Sequence, residues 1–444
     1  MPKSTHHALR IVIYLCAVVL IALNPLSAVA TSLAAPNTTD ASFSEATVSG
    51  VADECEEDAL IGVLQNEASS TDDKSKALQT LAGIADDRAI EAMLGYALGM
   101  DDLEASVSCF IKISKAITQQ GREAMTERLI SQLSQKTDQR FIIQALGCIK
   151  GSKAFNALLP FLQDTDWEIQ YATVCALRML GNNQAAAPLT ALLDNEASMQ
   201  HFEFKRDLIQ ALGEVGDAGS VDALIKMLKS VKKSGDTSCV AFIAAALGSL
   251  GSDSAIKPMI EMLPYAGNDG RNAISRACAT IGGNATVDTL IAAFKKTDSL
   301  WVSNIISPLV DINSDYVVQA LSKALKSNNT NMRKWAAKTL YLYTSNYRSK
   351  AAAEVLLERL KKKDVLVVAA AFLFFIDQGV EGSESVLCKA LNKYGDVSMA
   401  VIFLNSHNDA LEIEATRWAY KNGFVVKETE RYGSAGGWGG SPIQ

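Results

Sequence analysis

Apolar residues along this chain recur at helical spacing, in paired stretches separated by short polar turns. Ala223, Leu224, Met227 and Leu228 mark the first stretch of one pair, and Pro258, Met259, Met262 and Leu263 that of another. The same design recurs in Ala157-Leu158-Leu159 with Phe161-Leu162, and across residues 189–193 and 290–294. The second stretch of each pair closes on small residues and a glycine. Gln210-Ala211-Leu212-Gly213-Glu214-Val215-Gly216 is the clearest closing, repeated at Gln144-Ala145-Leu146-Gly147 and across residues 176–181 and 246–251. Weaker copies lie at 277–283 and 308–313. Asp166, Asp236, Asp298 and Asp364 stand where second helices start and predict N-caps, whose side chains accept from unpaired backbone amides. The turns are short, so neighbouring helices must be antiparallel. Strand-like alternation is missing until the last residues, which predicts an all-α chain.

The period is measurable by register. Seven residues before the key Leu of each copy, or its equivalent, stand Lys74, Ser106, Gln139, Gln170, Lys205, Val240, Arg271, Val302, Arg333 and Val368. From Gln139 onward the steps are 31, 35, 35, 31, 31, 31 and 35 residues. The two values differ by about one helical turn, so an insertion that lengthens a helix leaves its buried face buried. Recurrence at this period predicts stacked repeats, each burying its apolar face against its neighbours. The expectation is a right-handed α-solenoid of ten to eleven antiparallel helix pairs.

The unit "Asp-x-x-apolar-basic, small residues, Ala-Leu-Gly" resembles the HEAT repeat, in the short form shared with phycobilin-lyase subunits. Asp166-Trp167-Glu168-Ile169-Gln170 through Ala176-Leu177 carries the resemblance, and His201-Phe202-Glu203-Phe204-Lys205 through Ala211-Leu212-Gly213 repeats it with His for Asp. The resemblance implies that the residue after the apolar position faces the inner helix layer and pairs with the Asp of a neighbouring repeat. Here that column reads Gln139, Gln170, Lys205, Val240, Arg271, Val302, Arg333 and Val368. As structure it is a partial polar ladder. As function, Lys205, Arg271 and Arg333 would form a basic track on the concave face.

Other segments fall outside the repeats. Lys3, His6, His7 and Arg10 precede an apolar run over 11–23, and Asn24-Pro25 and Ala28-Val29-Ala30 follow. This predicts a signal peptide over 1–30, cleaved after Ala30, and hence a periplasmic or extracellular protein. Thirteen apolar residues are short of the roughly 20 that span a bilayer, so membrane contact is expected only if the segment stays as an anchor. Residues 31–54 read as a Ser/Thr/Ala-rich tether, 55–424 as the solenoid and 425–444 as a Gly-rich tail, flexible over 433–440. Residues 424–426 suggest a short extended segment. Glu412, Glu414 and Arg417 suggest a polar end cap. Residues 365–376, apolar on every side, predict a fully buried inner helix.

Composition narrows function. Net charge is −7, and −9 once Lys3 and Arg10 are removed, which excludes nucleic-acid backbones as partners. Seven cysteines remain after processing, mostly at apolar positions, with Cys55 in the acidic lead-in the most exposed. Only His201 and His407 lie beyond the signal segment, and neither is followed by Glu as in the di-iron enzymes built on this fold. No metal, cofactor or catalytic constellation is expected. Trp167 and Trp301 stand near the starts of second helices, Trp335 farther into its own, with Tyr341, Tyr343 and Tyr347 nearby. Aromatic and Arg residues favour interfaces. The expected function is a non-enzymatic scaffold binding a protein or peptide partner, of acidic character, along the concave face. Its candidate contacts are Gln139, Gln170, Lys205, Arg271, Trp301, Arg333, Lys334 and Trp335. The alternatives are a lyase-like enzyme or subunit, and a membrane-tethered scaffold.

Overall fold

The computed structural model describes residues 49–133, 139–196, 198–297, 300–425 and 438–440. Among the described residues regular structure is helical throughout, with 24 α-helices, short 3-10 segments and no strand. The signal segment lies outside them, and so does most of the tether. The first helix, Ser49–Gln65, starts ahead of the expected Cys55.

The chain divides into two compact units, Met1–Ser220 and Val221–Gln444. Both are built as α-solenoids. In the first unit the second helices are Thr71–Ile84, Leu103–Ala116, Gln139–Ile149, Trp167–Leu180 and Phe202–Val215, each packed on the next. In the second unit the corresponding run is Val240–Leu250, Asn268–Ile281, Ser303–Ile312, Thr330–Tyr347 and the two-part Val365–Ala370 and Phe372–Gln378, and it continues through Glu384–Tyr394 and Asp409–Lys421. Up to Phe372–Gln378 the described residues form ten such pairs, within the ten to eleven expected. Val397–Leu404 packs against Asp409–Lys421, the last helix among the described residues.

The recurring Ala-Leu-Gly has a mechanical reason. Leu146, Leu177, Leu212 and Leu247 have no exposed surface, so each fills the core of its repeat. A Cβ on Gly147 would stand 2.7 Å from the Cα of Ala176, and one on Gly248 3.0 Å from that of Ala277. The glycine of one copy thus receives the alanine of the next. Small residues at both positions let adjacent second helices approach closely, and the core beneath is packed at that spacing.

Two of the 35-residue steps are helix insertions, as the register predicts. The first helix Ala218–Ser234 has 17 residues, and the second helix Thr330–Tyr347 has 18 where the second helices before it have at most 14. The step from Gln170 to Lys205 differs: its extra residues form the 3-10 turn Ser198–Gln200 ahead of the helix.

Several expectations need correction. Asp166 and Asp364 cap their helices, accepting from the amides of Glu168 and Val367. Asp236 instead accepts from the amide of Ser238 within the turn, and its helix begins only at Val240. Asp298 lies outside the described residues. The apolar run 365–376 is not one buried helix but two, broken at Ala371 (φ −120°, ψ 27°). Leu366, Val367, Val368, Phe374, Phe375 and Ile376 are buried, while Ala369, Phe372 and Leu373 are half-exposed. The break re-aims Phe372 at Phe403, with ring centroids 6.0 Å apart. The final helix does carry Glu414 paired with Arg417, but it also exposes Ile413 and Tyr420, so its outer face is mixed rather than polar. Part of the glycine-rich tail is also placed: Trp438 and Gly439 donate backbone hydrogen bonds to Ser406 and Ile376.

Candidate functional site

The predicted column lies in the seam between the two helices of each repeat. Gln139 Nε2 donates to the carbonyl of Leu133 at 2.9 Å, Gln170 Nε2 to that of Leu162 at 3.1 Å, and Arg271 Nε to that of Leu263 at 3.0 Å. These carbonyls close the preceding helices, whose last turns have no intrahelical partners for them. Three column members therefore cap the first helix of their own repeat. Arg333 reaches forward, its guanidinium 2.5 Å from Asp364, the N-cap of the next second helix. This is the neighbour pairing that the resemblance implies. Val240, Val302 and Val368 are buried, and Lys205 is half-buried.

The candidate aromatics are likewise internal. Trp301 precedes its helix and is 8% exposed. Trp335 is 5% exposed and donates Nε1–H to the carbonyl of Thr297 at 3.3 Å. A partner approaching here meets Lys334, which is exposed and holds its Nζ 4.6 Å from the Trp335 ring centroid.

The solvent face of the second helices begins one residue later. A step of one residue turns a helix by about 100°, which carries a side chain from the seam to the surface. Arg140, Asn272, Ser303 and Lys334 are exposed there, and Tyr171 and Arg206 half-exposed. Four residues on, Arg276, Ser307 and Lys338 continue the face.

In the first unit this face is cross-linked from helix to helix. Arg140 pairs with Glu168 of the following second helix. Tyr171 Oη donates to Asp207 at 2.5 Å, and Arg178 Nη1 to Gln210 Oε1 at 3.1 Å. Asp207, 1% exposed, also accepts from Arg206 Nε at 2.8 Å, so its buried charge is matched. Trp167 stacks on His201 with centroids 4.0 Å apart and planes 6° from parallel. In the second unit Asn304 Nδ2 donates to Asn272 Oδ1 at 3.3 Å, and Arg276, Lys334 and Lys338 project from the layer. The signal for this face was present in the sequence: the position after the column stays polar or small in every copy from Asn272 to Ala369.

Titration follows burial. Burial pushes the thiols of Cys148 and Cys278 up to about 12, far from the thiolate a nucleophile needs. The carboxyl of Asp377 is raised by burial, and the phenol of Tyr341 by burial and then by the charge of Asp377. Among the described residues no three metal-ligating side chains converge, and no helix is long and apolar enough to cross a membrane.

Stacked helix pairs, with each second helix packed on the next within a unit, define the α-solenoid class of proteins. Residues 123–200 match the family model for HEAT repeats. Among solved structures the chain is similar to an engineered protein at 20% identity, covering 83% of this chain and 98% of that one, with a TM-score of 0.33. It is also similar to the karyopherin Kap121p bound to the SUMO protease Ulp1p, at 11% identity, 82% and 48% coverage and a TM-score of 0.45. Kap121p bound to Pho4p gives 12% identity, 82% and 49% coverage and a TM-score of 0.46. The chain spans about half the length of that karyopherin. No curated protein matches it.

Proposed function

We propose that this chain is an exported, non-enzymatic scaffold that binds an acidic protein or peptide along the solvent face of its second helices. The observation that carries the reading is the exposed group Arg276, Lys334 and Lys338 in the second unit. They project, on two second helices separated by Ser303–Ile312, from a layer whose apolar residues turn inward, on a chain of net charge −7. Paired helices held by capping and close packing offer a rigid surface, which lowers the ordering entropy of binding. Arg271 and Arg333 lie one position beneath this face and hold it in register. Export rests on the apolar run 11–23 and on Ala28-Val29-Ala30. A mature protein whose mass corresponds to a start at Thr31 checks it.

The binding test is a pull-down from envelope extract, comparing wild type with an Arg276→Glu, Lys334→Glu, Lys338→Glu variant and a Lys205→Glu, Arg271→Glu, Arg333→Glu variant. Circular dichroism monitors folding of each. The expected result is loss of the partner from the first variant at unchanged helicity, with reduced thermal stability in the second. Retention of every partner by the first variant would sink the acidic-partner reading.

A further inference from the structure

The placement of Trp438, Gly439 and Gly440 marks a second kind of site, independent of the second-helix face. Trp438 N–H donates to the carbonyl of Ser406 at 2.7 Å, and Gly439 N–H to that of Ile376 at 2.9 Å. Both acceptors belong to helix ends: Ile376 sits in the last turn of Phe372–Gln378, and Ser406 lies just past Val397–Leu404. The Ile376 carbonyl already accepts from Gly379 N–H at 3.0 Å, and its second lone pair, like the Ser406 carbonyl past its helix end, is left for the backbone amides of the tail. Ser406 is itself buried, with its Oγ donating to the carbonyl of Phe403 at 2.7 Å, so the rim of the notch is fixed.

The contact is also sterically selective. Gly379 closes its helix at φ +60°, and Gly439 lies opposite it at φ +76°. A Cβ on Gly379 would stand 2.7 Å from the Cα and 2.9 Å from the N of Gly439, and 3.4 Å from Cδ1 of Trp438. Two backbones cross here with no room for a side chain on the helix side. Gly439 in turn occupies a left-handed conformation that other residues adopt only with strain. Gly181 and Gly251 close their helices at nearly the same φ, +69° and +68°, yet a Cβ on either would meet nothing within 4 Å. The crowding at Gly379 is therefore not a demand of the helix end. It belongs to the docked segment.

We infer that the notch formed by Ile376, Gly379 and Ser406 is a peptide-docking site for a Trp-Gly-Gly segment turned at its first glycine, which the chain fills with its own residues 438–440. Main-chain hydrogen bonds supply affinity and the glycine crossing supplies specificity, as in other backbone-read peptide sites. Tethering makes the occupant local, at an effective concentration on the order of millimolar for a short linker. A partner presenting an aromatic residue followed by glycines competes for the same notch.

The test uses the full chain in three forms: wild type, Gly439→Val, which spoils the resident ligand only, and Gly379→Ala with Gly439→Val, which spoils the receptor too. The probe is a fluorescent peptide with the sequence of residues 433–444, followed by anisotropy. Binding to Gly439→Val at least about tenfold tighter than to wild type, and lost again in the double variant, is expected. Amide exchange gives an independent readout. Trp438 and Gly439 amides are expected to exchange at least about tenfold faster in Gly379→Ala than in wild type or in Gly251→Ala, which carries the same helix-end strain without the crossing. Failure of Gly439→Val to bind the peptide, equal binding by the double variant, or unprotected Trp438 and Gly439 amides in wild type would each overturn the assignment.

Discussion

Gln170 and Tyr171 are neighbours in the chain and differ in role. Gln170 is 4% exposed and spends its amide on the Leu162 carbonyl, whereas Tyr171 faces outward and reaches the next repeat through Asp207. Removing the buried donor leaves that carbonyl unsatisfied, so Gln170→Ala is expected to destabilise the chain by about 1–3 kcal/mol. Lys334→Ala, on the exposed face, should stay within about 0.5 kcal/mol. Urea midpoints for the two variants read the contrast directly. The buried thiols give a pH prediction. An unfolded Cys278 ionises near pH 8.5, while the folded thiol is held to about 12. Between these values the unfolded chain binds fewer protons, so stability falls as pH rises, by about 1.4 kcal/mol per unit for one thiol. Below about pH 8 the thiol contributes no slope. Cys278→Ala should flatten the alkaline decline by that amount, measured as unfolding free energy from pH 9 to 11.

At the scale of the helix, glycine has opposite meanings by position. Gly95 lies inside Asp87–Leu98, and a Cβ added there would meet nothing within 4 Å, so Gly95→Ala should stabilise by about 0.5–1 kcal/mol through helix propensity. Gly147 lies against Ala176, so Gly147→Ala must push two second helices apart, a loss of about 1–3 kcal/mol. Thermal melts of the two single variants should move in opposite directions. Gly147 belongs to the repeated closing visible in the sequence, but what separates it from Gly95 lies across the helix interface, which no local pattern records. The same limit explains the 365–376 run. Its hydrophobicity was plain, but the break at Ala371 comes with a contact between Phe372 and Phe403, residues too far apart in the chain for a local pattern to relate.

At the scale of the molecule, stability in a stacked chain is a sum of repeats and their nearest-neighbour contacts. Leu146 is fully buried between the helices that flank Gln139–Ile149. Leu146→Ala should lower stability by about 2–5 kcal/mol. Hydrogen exchange is expected to quicken most in Leu103–Ala116, Gln139–Ile149 and Trp167–Leu180 and less in Thr71–Ile84. Uniform acceleration across the first unit would instead mean that it opens as one cooperative body.

Spacing along one chain was enough to establish the all-α class, the repeat period, the helix pairing and the identity of the core leucines, because helical periodicity and turn chemistry are local. It also located the column, and one of its members, Arg333, pairs with a neighbouring Asp as the repeat resemblance implies. Which side of that column meets water emerged only from the packed helices, since a single residue of rotation separates a seam from a surface. Packing likewise placed Trp301 and Trp335 inside, and it brought Gly439 against Gly379, residues sixty positions apart. A contact between distant backbones leaves no periodic trace, because it depends on how the intervening helices stack.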